Sequence, residues 1–253
     1  MRRLLRRTLP FAVRWRLREL VRRAGDARCG VRFATSGVDA PPRSFLVCEY
    51  ALPLVCYPGQ EAAFAAKRSN IELALHSIDG MLVQPGETLS FWKCVGPPTV
   101  RRGYGVAAAL KDGELTSEVG GAICFVSTIL YNAALLSGMT VVERYGHSVD
   151  SYGDARYFEL GRDAAVEYAY RDFRARNDFE DDLQLRACLD DSMAVIEVRS
   201  TRDLHLCVEL DVRSAKKRAN GEFAVNTVRH LLVDGRARTD DLGITVYRHP
   251  PVQ

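Results

Sequence analysis

Several patterns that define common functions are missing from this sequence. It contains no CxxC pair, no HExxH, no GxGxxG or Walker loop, and no apolar run of about eighteen residues. The five histidines are scattered along the chain and do not have the spacing of metal ligands. We therefore expect no metal, no cofactor and no transmembrane helix.

The cysteines do not form a disulfide framework. There are seven of them, an odd number, and the N-terminus carries no export signal because its apolar core, LPFAV, is too short and arginines continue after it. Unpaired cysteines are typical of a reducing compartment. The sequence predicts a cytoplasmic protein.

The net charge of +3 conceals a strong asymmetry. The first thirty residues hold ten arginines against Glu19 and Asp26, which is +8, so the remainder carries −5. We interpret residues 1–40 as a basic helical arm and linker, and residues 41–253 as one domain. The arm is either a packed or solvated helix or a peripheral membrane contact. The acidic body, without a nucleic-acid-binding motif, excludes nucleic acid as a partner.

Hydrophobic periodicity indicates an α+β fold in which helices are followed by an antiparallel β meander. The stretch CFVSTILYNAALLSG predicts a buried central helix that starts at Cys124 and ends near Gly138. After it, AAVEYAYRDFRARN, LQLRACL, MAVIEVRS and LHLCVELDVRS read as strands. Hairpin turns are predicted at Asp112-Gly113 and Asp234-Gly235.

Cys124 is the strongest candidate for chemistry. It follows Gly120 and Gly121 and begins a helix, where the helix dipole and nearby cations favour a thiolate. His147 ends the next predicted strand, and Asp163 could orient its imidazole, which would give a Cys–His–acid arrangement. Composition and spacing alone favour the alternative, in which Cys124 is a small core residue at a helix start.

A set of arginines near this segment is a second candidate site. They recognise carboxylate, phosphate or sulfate groups well, and they suggest an anionic small-molecule substrate. The alternative is that they pair with surface carboxylates of the same region. The set comprises Arg101, Arg102, Arg144, Arg156, Arg162, Arg171, Arg174 and Arg176.

The order of three motifs resembles the VanW family. They are PGETLSFWKCVGPPTVRRGYG, GGAICFVSTILYNAALLSGMTVVERYGHS and LGRDAAVEYAYRDFRARND. The resemblance covers residues 57–189, and a weaker likeness continues over the strands of residues 190–250. The family is named from accessory genes of glycopeptide-resistance clusters and has no settled activity.

The resemblance also implies site residues. Cys124, His147 and Asp163 are the catalytic candidates. The substrate-binding candidates, which include the loop residues before the helix, are Arg101, Arg102, Tyr104, Gly120, Gly121, Ser127, Tyr131, Arg144, Arg162 and Asp172.

Two residues depart from the family pattern. Ala122 stands where a third glycine is expected, and Phe125 stands where the family has glutamine. Glutamine can donate to an oxyanion and phenylalanine cannot. The departures indicate a divergent member whose reaction is lost or changed.

Three functions are consistent with these observations. The first is a cytoplasmic enzyme that uses Cys/His chemistry on an amino-acid-derived or peptidoglycan-precursor-like substrate. The second is an antibiotic-biosynthetic enzyme whose substrate is tethered to a carrier protein and whose arginines stabilise a phosphate or sulfate leaving group. The third is a non-catalytic module that binds a cell-wall fragment or antibiotic.

Overall fold

The computed structural model describes residues 11–37, 41–56, 61–111, 114–150, 156–214 and 222–248. Its helices are α1 (Phe11–Arg28), α2 (Glu61–Ile78), α3 (Phe91–Val95) and α4 (Cys124–Leu136), with a 3-10 turn at Val100–Arg102. The strands before α4 are β1 (Thr35–Ser36), β2 (Phe45–Pro53), β3 (Met81–Val83), β4 (Thr88–Ser90), β5 (Val106–Lys111) and β6 (Glu114–Val119). Those after α4 are β7 (Thr140–Glu143), β8 (Arg174–Arg176), β9 (Leu183–Leu189), β10 (Met193–Ser200), β11 (Leu206–Ser214), β12 (Phe223–Val233) and β13 (Arg236–Tyr247).

The α+β class is confirmed, with strands also lying between the helices. Within the described ranges, a five-stranded antiparallel sheet has the order β1-β3-β9-β10-β2, and β11-β12-β13 form a C-terminal meander. A third sheet has the order β4-β8-β7, and β5 pairs with β6. The hairpin at Asp234-Gly235 is confirmed, whereas the turn residues Asp112 and Gly113 lie outside the described residues.

Helix α4 lies at the centre of the core, as its apolar sequence predicts. Every residue from Phe125 to Leu135 is buried, and the helix packs on β2 and β10 of the five-stranded sheet. The chain leaves it through Gly138, whose φ of 76° belongs to the left-handed region that glycine adopts most easily. The central helix fixes Cys124 at the edge of the core.

The strand predicted for AAVEYAYRDFRARN is mostly wrong. Only Arg174–Arg176 is a strand, because residues 167–171 form a tight turn in which Arg171 N–H donates to Glu167 O at 2.8 Å. Ala169 occupies the left-handed region at the centre of this turn, with a φ of 65°. Arg162, Ala164 and Val166 before the turn bond to α4, and Ala165 N–H donates to the carbonyl of Tyr145, just after β7, at 2.7 Å.

Helix α1, the basic arm, packs against the body of the protein. Arg22 donates to both carboxylate oxygens of Glu143, at 3.1 and 2.7 Å, and Asp26 accepts from Arg174 at 2.7 and 3.1 Å. None of the helices in the described ranges combines the length and apolar character that crossing a membrane requires.

Candidate functional site

A tight turn connects β6 to α4 and places Cys124 at the first position of the helix. Gly120 and Ala122 both adopt positive φ, of 79° and 72°. A Cβ on Gly121 would lie 2.0 Å from the carbonyl oxygen of Ala107 on β5, so only glycine fits there. Ala122 therefore adopts, with a Cβ, a conformation that favours glycine.

Asn70 of α2 holds this turn in place. Its amide nitrogen donates to the carbonyls of Gly105 and Gly121, both at 3.0 Å, and its Oδ1 accepts from the Gly105 N–H at 2.8 Å. The side chain is completely buried, so these bonds satisfy groups that water does not reach. The turn before Cys124 is thus fixed from a helix that precedes it by about fifty residues.

An extended segment, residues 162–166, runs antiparallel along α4 and bonds to it at every second residue. Arg162 O accepts from Asn132 Nδ2 at 2.8 Å, Ala164 N donates to Thr128 Oγ1 at 3.1 Å, and Val166 N donates to Cys124 Sγ at 3.5 Å. The spacings match because four helical residues advance about 6 Å and two extended residues about 6.6 Å. Asp163 lies between two of these bonded residues.

The side chains of Asp163 and His147 are joined directly. One carboxylate oxygen, Oδ2, lies 2.6 Å from the ring Nδ1 of His147 and also accepts the His147 backbone N–H at 2.6 Å. Double attachment through the backbone and the ring fixes the orientation of the imidazole. With Nδ1 occupied by the carboxylate, Nε2 is the ring nitrogen left for proton exchange.

The second oxygen of Asp163, Oδ1, accepts from two further groups. Arg144 Nη2 donates to it at 2.8 Å, and the hydroxyl of Tyr247 also donates to it. The same hydroxyl accepts from the N–H of Gly161 at 2.7 Å. Burial opposes ionisation, but the hydrogen bond with His147 and the charge of Arg144 outweigh it, and the pKa of Asp163 is lowered. The carboxylate is therefore charged at neutral pH.

His147 is a buried imidazole that favours the protonated form. Burial lowers its pKa, but the hydrogen bond with Asp163 and the interaction with the Cys124 thiol have the larger combined effect and raise it to about 10. Phe158 stacks on the ring, with centroids 5.8 Å apart. Half-buried Cys124 interacts electrostatically with His147, which binds Asp163, so the three side chains form a Cys–His–Asp chain of interactions. The hydrogen bonds of Cys124 Sγ are with the backbone of Val166, to which it donates at 3.6 Å and from which it accepts at 3.5 Å.

The residue after the thiol is packed into an aromatic contact. Phe125 is buried, its ring centroid lies 5.0 Å from that of Tyr157, and the amine of Lys67 lies 5.9 Å from its ring. An apolar surface thus replaces the amide that the family pattern has at this position. The backbone N–H groups of Phe125, Val126 and Ser127 at the start of α4 already donate to the carbonyls of Ala122 and Ile123, at 3.1, 2.9 and 3.2 Å.

A cleft of about 410 Å³ lies beside the imidazole. Residues Val141–Ser148 form one wall, and Leu242–Val246 of β13 form the other. The cleft is in contact with His147 but Cys124 is not part of its lining. Within the described residues, no group of three or more His, Cys, Asp or Glu side chains is arranged to hold a metal ion.

Some of the predicted substrate-binding residues are internal supports of the Cys–His–Asp chain. Ser127 donates to the carbonyl of Ala164 at 2.6 Å, and the ring of Tyr131 lies under the guanidinium of Arg144 at 5.1 Å. Arg144 also bonds the carbonyl of Asp163 at 2.7 Å. Arg162 is held by Asn132 at 2.8 Å and by Glu159 at 2.7 Å.

The other predicted binding residues lie in different surroundings. The Arg102 side chain donates to the carbonyls of Val95 and Pro97, and its neighbour Arg101 is exposed. Tyr104 is buried. Asp172 accepts from Ser90 Oγ at 2.6 Å and from Arg174 Nε at 2.9 Å, in the ion-pair network that anchors α1. None of the contacts described for these four residues involves Cys124.

Sequence reasoning missed two residues that build the site. Asn70 fixes the glycine turn, and Tyr247 joins Gly161 to Asp163 from the last strand. Asn70 directly follows Lys67, Arg68 and Ser69, so the local sequence gave no signal that its amide is buried. Tyr247 gave none, because its contact depends on where β13 lies in space.

Comparison with known proteins identifies a matching family and two related proteins. The sequence model of the family described as VanW like protein matches residues 66–199, which is just over half of the chain. The uncharacterized protein YoaR of Bacillus subtilis is 38% identical over 122 residues, which are 48% of this chain and 39% of YoaR. The Vancomycin B-type resistance protein VanW of Enterococcus faecalis is 32% identical over 130 residues, which are 51% of this chain and 47% of that protein.

The matched segment thus spans less than half the length of both relatives. No solved structure matches the chain significantly. The family match includes α4, His147 and Asp163, the elements that form the buried contact chain. The protein is an α+β protein with a Cys–His–Asp constellation, and it belongs to the VanW family.

Proposed function

We propose that this protein is a thiol-dependent acyl-transfer enzyme that acts on an amide or ester of an amino-acid-derived substrate. The observation that carries the proposal is the buried His147–Asp163 pair, bonded at 2.6 Å, with which the Cys124 thiol interacts electrostatically. A cysteine that only packs in the core would not require an imidazole beside it. A histidine that only packs in the core would not require a buried carboxylate on its ring. All three together are the arrangement that activates a nucleophile.

The reaction follows from the roles of these side chains. With His147 protonated, Sγ of Cys124 attacks the substrate carbonyl carbon as a thiolate. The C–N or C–O bond to the leaving group breaks, and Nε2 of His147 gives its proton to the departing amine or alcohol. The acyl group is then a thioester on Cys124. Water or an acceptor amine attacks it, His147 takes up the acceptor's proton, and the C–S bond breaks to regenerate the thiolate.

Asp163 is a positioning residue in this reaction. It holds Nδ1 of His147 and stabilises the imidazolium without changing its own protonation. Arg144 and Tyr247 in turn keep the carboxylate ionised and oriented. Arg144, one of the arginines that the sequence suggested for binding an anion, has its guanidinium bonded to Asp163 and Thr245. This supports a thiol mechanism over arginine stabilisation of a phosphate or sulfate leaving group.

We propose a cell-wall precursor peptide as the substrate class. The support is the relative from Enterococcus faecalis, whose name assigns it to vancomycin resistance. We further propose the cytoplasm as the compartment, since none of the seven cysteines is in a disulfide and the proposed mechanism needs a reduced Cys124.

The first experiment measures the reactivity of Cys124 with iodoacetamide at pH 7 by peptide mass spectrometry. The other cysteines are internal controls. Cys29 is exposed, whereas burial raises the pKa of Cys94 to about 12 and should leave it inert. We expect Cys124 to react at least about tenfold faster than Cys29, and His147→Ala to abolish the difference. A Cys124 that reacts no faster than Cys29 would rule out the nucleophile.

The second experiment uses a synthetic peptidoglycan stem pentapeptide as the substrate probe. We expect an acyl adduct on the Cys124 peptide and release of an amine, both absent from Cys124→Ala. Binding of the pentapeptide with equal affinity by wild type and Cys124→Ala, without release of product, would instead identify a binding module and overturn the enzymatic proposal.

A further inference from the structure

Helix α1 is bound to the body of the protein through its polar side. Besides the ion pairs of Arg22 and Asp26, Trp15 makes an edge contact with Tyr168 at 5.3 Å between ring centroids. The guanidinium of Arg18 lies 4.0 Å from the ring of Tyr170. Charged and aromatic contacts therefore fix the orientation of the helix.

The outward side of α1 is apolar. Val13, Leu17, Leu20 and Val21 are 40%, 49%, 60% and 73% exposed. At 100° per residue these positions fall within one stripe about 100° wide. An amphipathic helix on a globular protein normally buries its apolar side. Here that side, which we term the outer stripe, faces away from the body.

Arginines border the outer stripe. Arg16 and Arg23 are exposed along one edge of it, and Arg28 is exposed at its C-terminal end. The ten residues before α1 add Arg2, Arg3, Arg6 and Arg7 to the sequence. An apolar stripe with arginines at its edges is the composition of helices that lie in a membrane interface, where the arginine stems lie along the apolar region and the guanidinium groups reach the phosphates.

We propose that the outer stripe docks on an anionic membrane surface, with α1 parallel to the lipid plane and the body held beneath it by the Arg22 and Asp26 ion pairs. Charge complementarity favours this occupant over a second copy of the chain. Two outer stripes placed face to face would bring the bordering arginines together, whereas anionic headgroups neutralise them. The inference does not depend on the chemistry at Cys124.

Sedimentation of the full-length protein with vesicles tests the proposal. We expect binding to phosphatidylcholine vesicles that contain phosphatidylglycerol, weaker binding to phosphatidylcholine alone, and release at high salt. The double variant Leu17→Glu/Leu20→Glu should bind the anionic vesicles at least about tenfold more weakly, because two charges would enter the apolar boundary. Its thermal midpoint should stay near that of the wild type, since both side chains are exposed.

The matched control is Val100→Glu/Val106→Glu. It adds the same charge at two exposed apolar residues outside α1, and it should bind anionic vesicles almost as the wild type does. Equal loss of binding in this control would reduce the effect to net charge and overturn the docking face. The proposal would also be overturned if the wild type bound both kinds of vesicle equally, or bound neither.

A measurement of molar mass without lipid tests the alternative, in which a second copy of the chain covers the outer stripe. We expect a monomer in solution. A dimer that Leu17→Glu/Leu20→Glu converts to a monomer would show that the outer stripe is covered by a second copy of the chain, and the membrane proposal would be wrong.

Discussion

A single carboxylate oxygen of Asp163 binds both the backbone N–H and the imidazole Nδ1 of His147, at 2.6 Å each. The position and the protonation of the histidine therefore depend on one buried side chain. Arg144 and Tyr247 bind the other oxygen, so four hydrogen-bonding groups converge on a carboxylate that is completely buried.

Replacing Asp163 with asparagine should reduce the reactivity of Cys124. An amide cannot stabilise the imidazolium that the proposed mechanism needs beside Cys124, so we expect alkylation of Cys124 by iodoacetamide at pH 7 to slow by about tenfold or more. Asp182→Asn is the matched control, because it removes a carboxylate paired with Arg43 at 2.7 Å that is not in contact with the site. Unchanged reactivity in Asp163→Asn would show that His147 does not activate Cys124.

Stability should fall between about pH 6.5 and pH 10 through His147. Its pKa is raised from 6.5 to about 10 in the folded state, so its stabilising contribution is complete below pH 6.5 and disappears as the pH rises through 10. Urea unfolding of the wild type and of His147→Gln across this range checks the prediction. We expect the difference in unfolding free energy between the two proteins to shrink with rising pH. A constant difference would contradict a raised pKa.

Ala122→Gly should stabilise the fold. The φ of 72° costs an alanine about 1–2 kcal/mol, and glycine loses about 0.5–1 kcal/mol more backbone entropy on folding, so we expect a net gain of about 0.5–1 kcal/mol. Thermal or urea unfolding measures it. Ala63→Gly, at an exposed position within α2, should instead cost about 1 kcal/mol. A loss of stability in Ala122→Gly would mean that the turn does not strain the alanine.

Asn70→Ala should destabilise the protein by about 2–4 kcal/mol. It leaves the N–H of Gly105 and the carbonyls of Gly105 and Gly121 without their buried partner. We also expect slower alkylation of Cys124, because the turn that places the thiol loses its support. Glu72→Ala on the same helix removes only the exposed pair with Arg68 and should cost about 0.5 kcal/mol or less. Similar losses in the two variants would show that Asn70 is not a structural anchor.

The elements that the sequence predicted well are those with local patterns. The apolar run after Cys124 has helical spacing and is long enough to be buried throughout, and Asp234-Gly235 is a turn whatever surrounds it. The extended conformation of residues 164–166 was also predicted, as the start of a longer strand. Its partner was not, because alternation is the same whether the segment bonds to a strand or, as here, to a helix.

The arginines and aspartates show why the rest of the site could not be read. Asp163 and Asp172 are both buried carboxylates beside arginines, and nothing local distinguishes them. Their roles differ because one meets His147 and the other meets Ser90 and Arg174. That difference depends on how segments distant in sequence pack together. The contact of Tyr247, from the C-terminal meander, with Asp163 depends on the same packing.

The bonds between α4 and residues 162–166 have a consequence for how the length of this chain can vary. Successive side chains of an extended segment point to opposite sides, so inserting or deleting one residue there would reverse them and turn the carboxylate away from the imidazole. The three bonds that join this segment to Asn132, Thr128 and Cys124 all come after Gly161. Among related sequences, changes of length should therefore fall between the histidine and Gly161 and be absent from the five residues that follow.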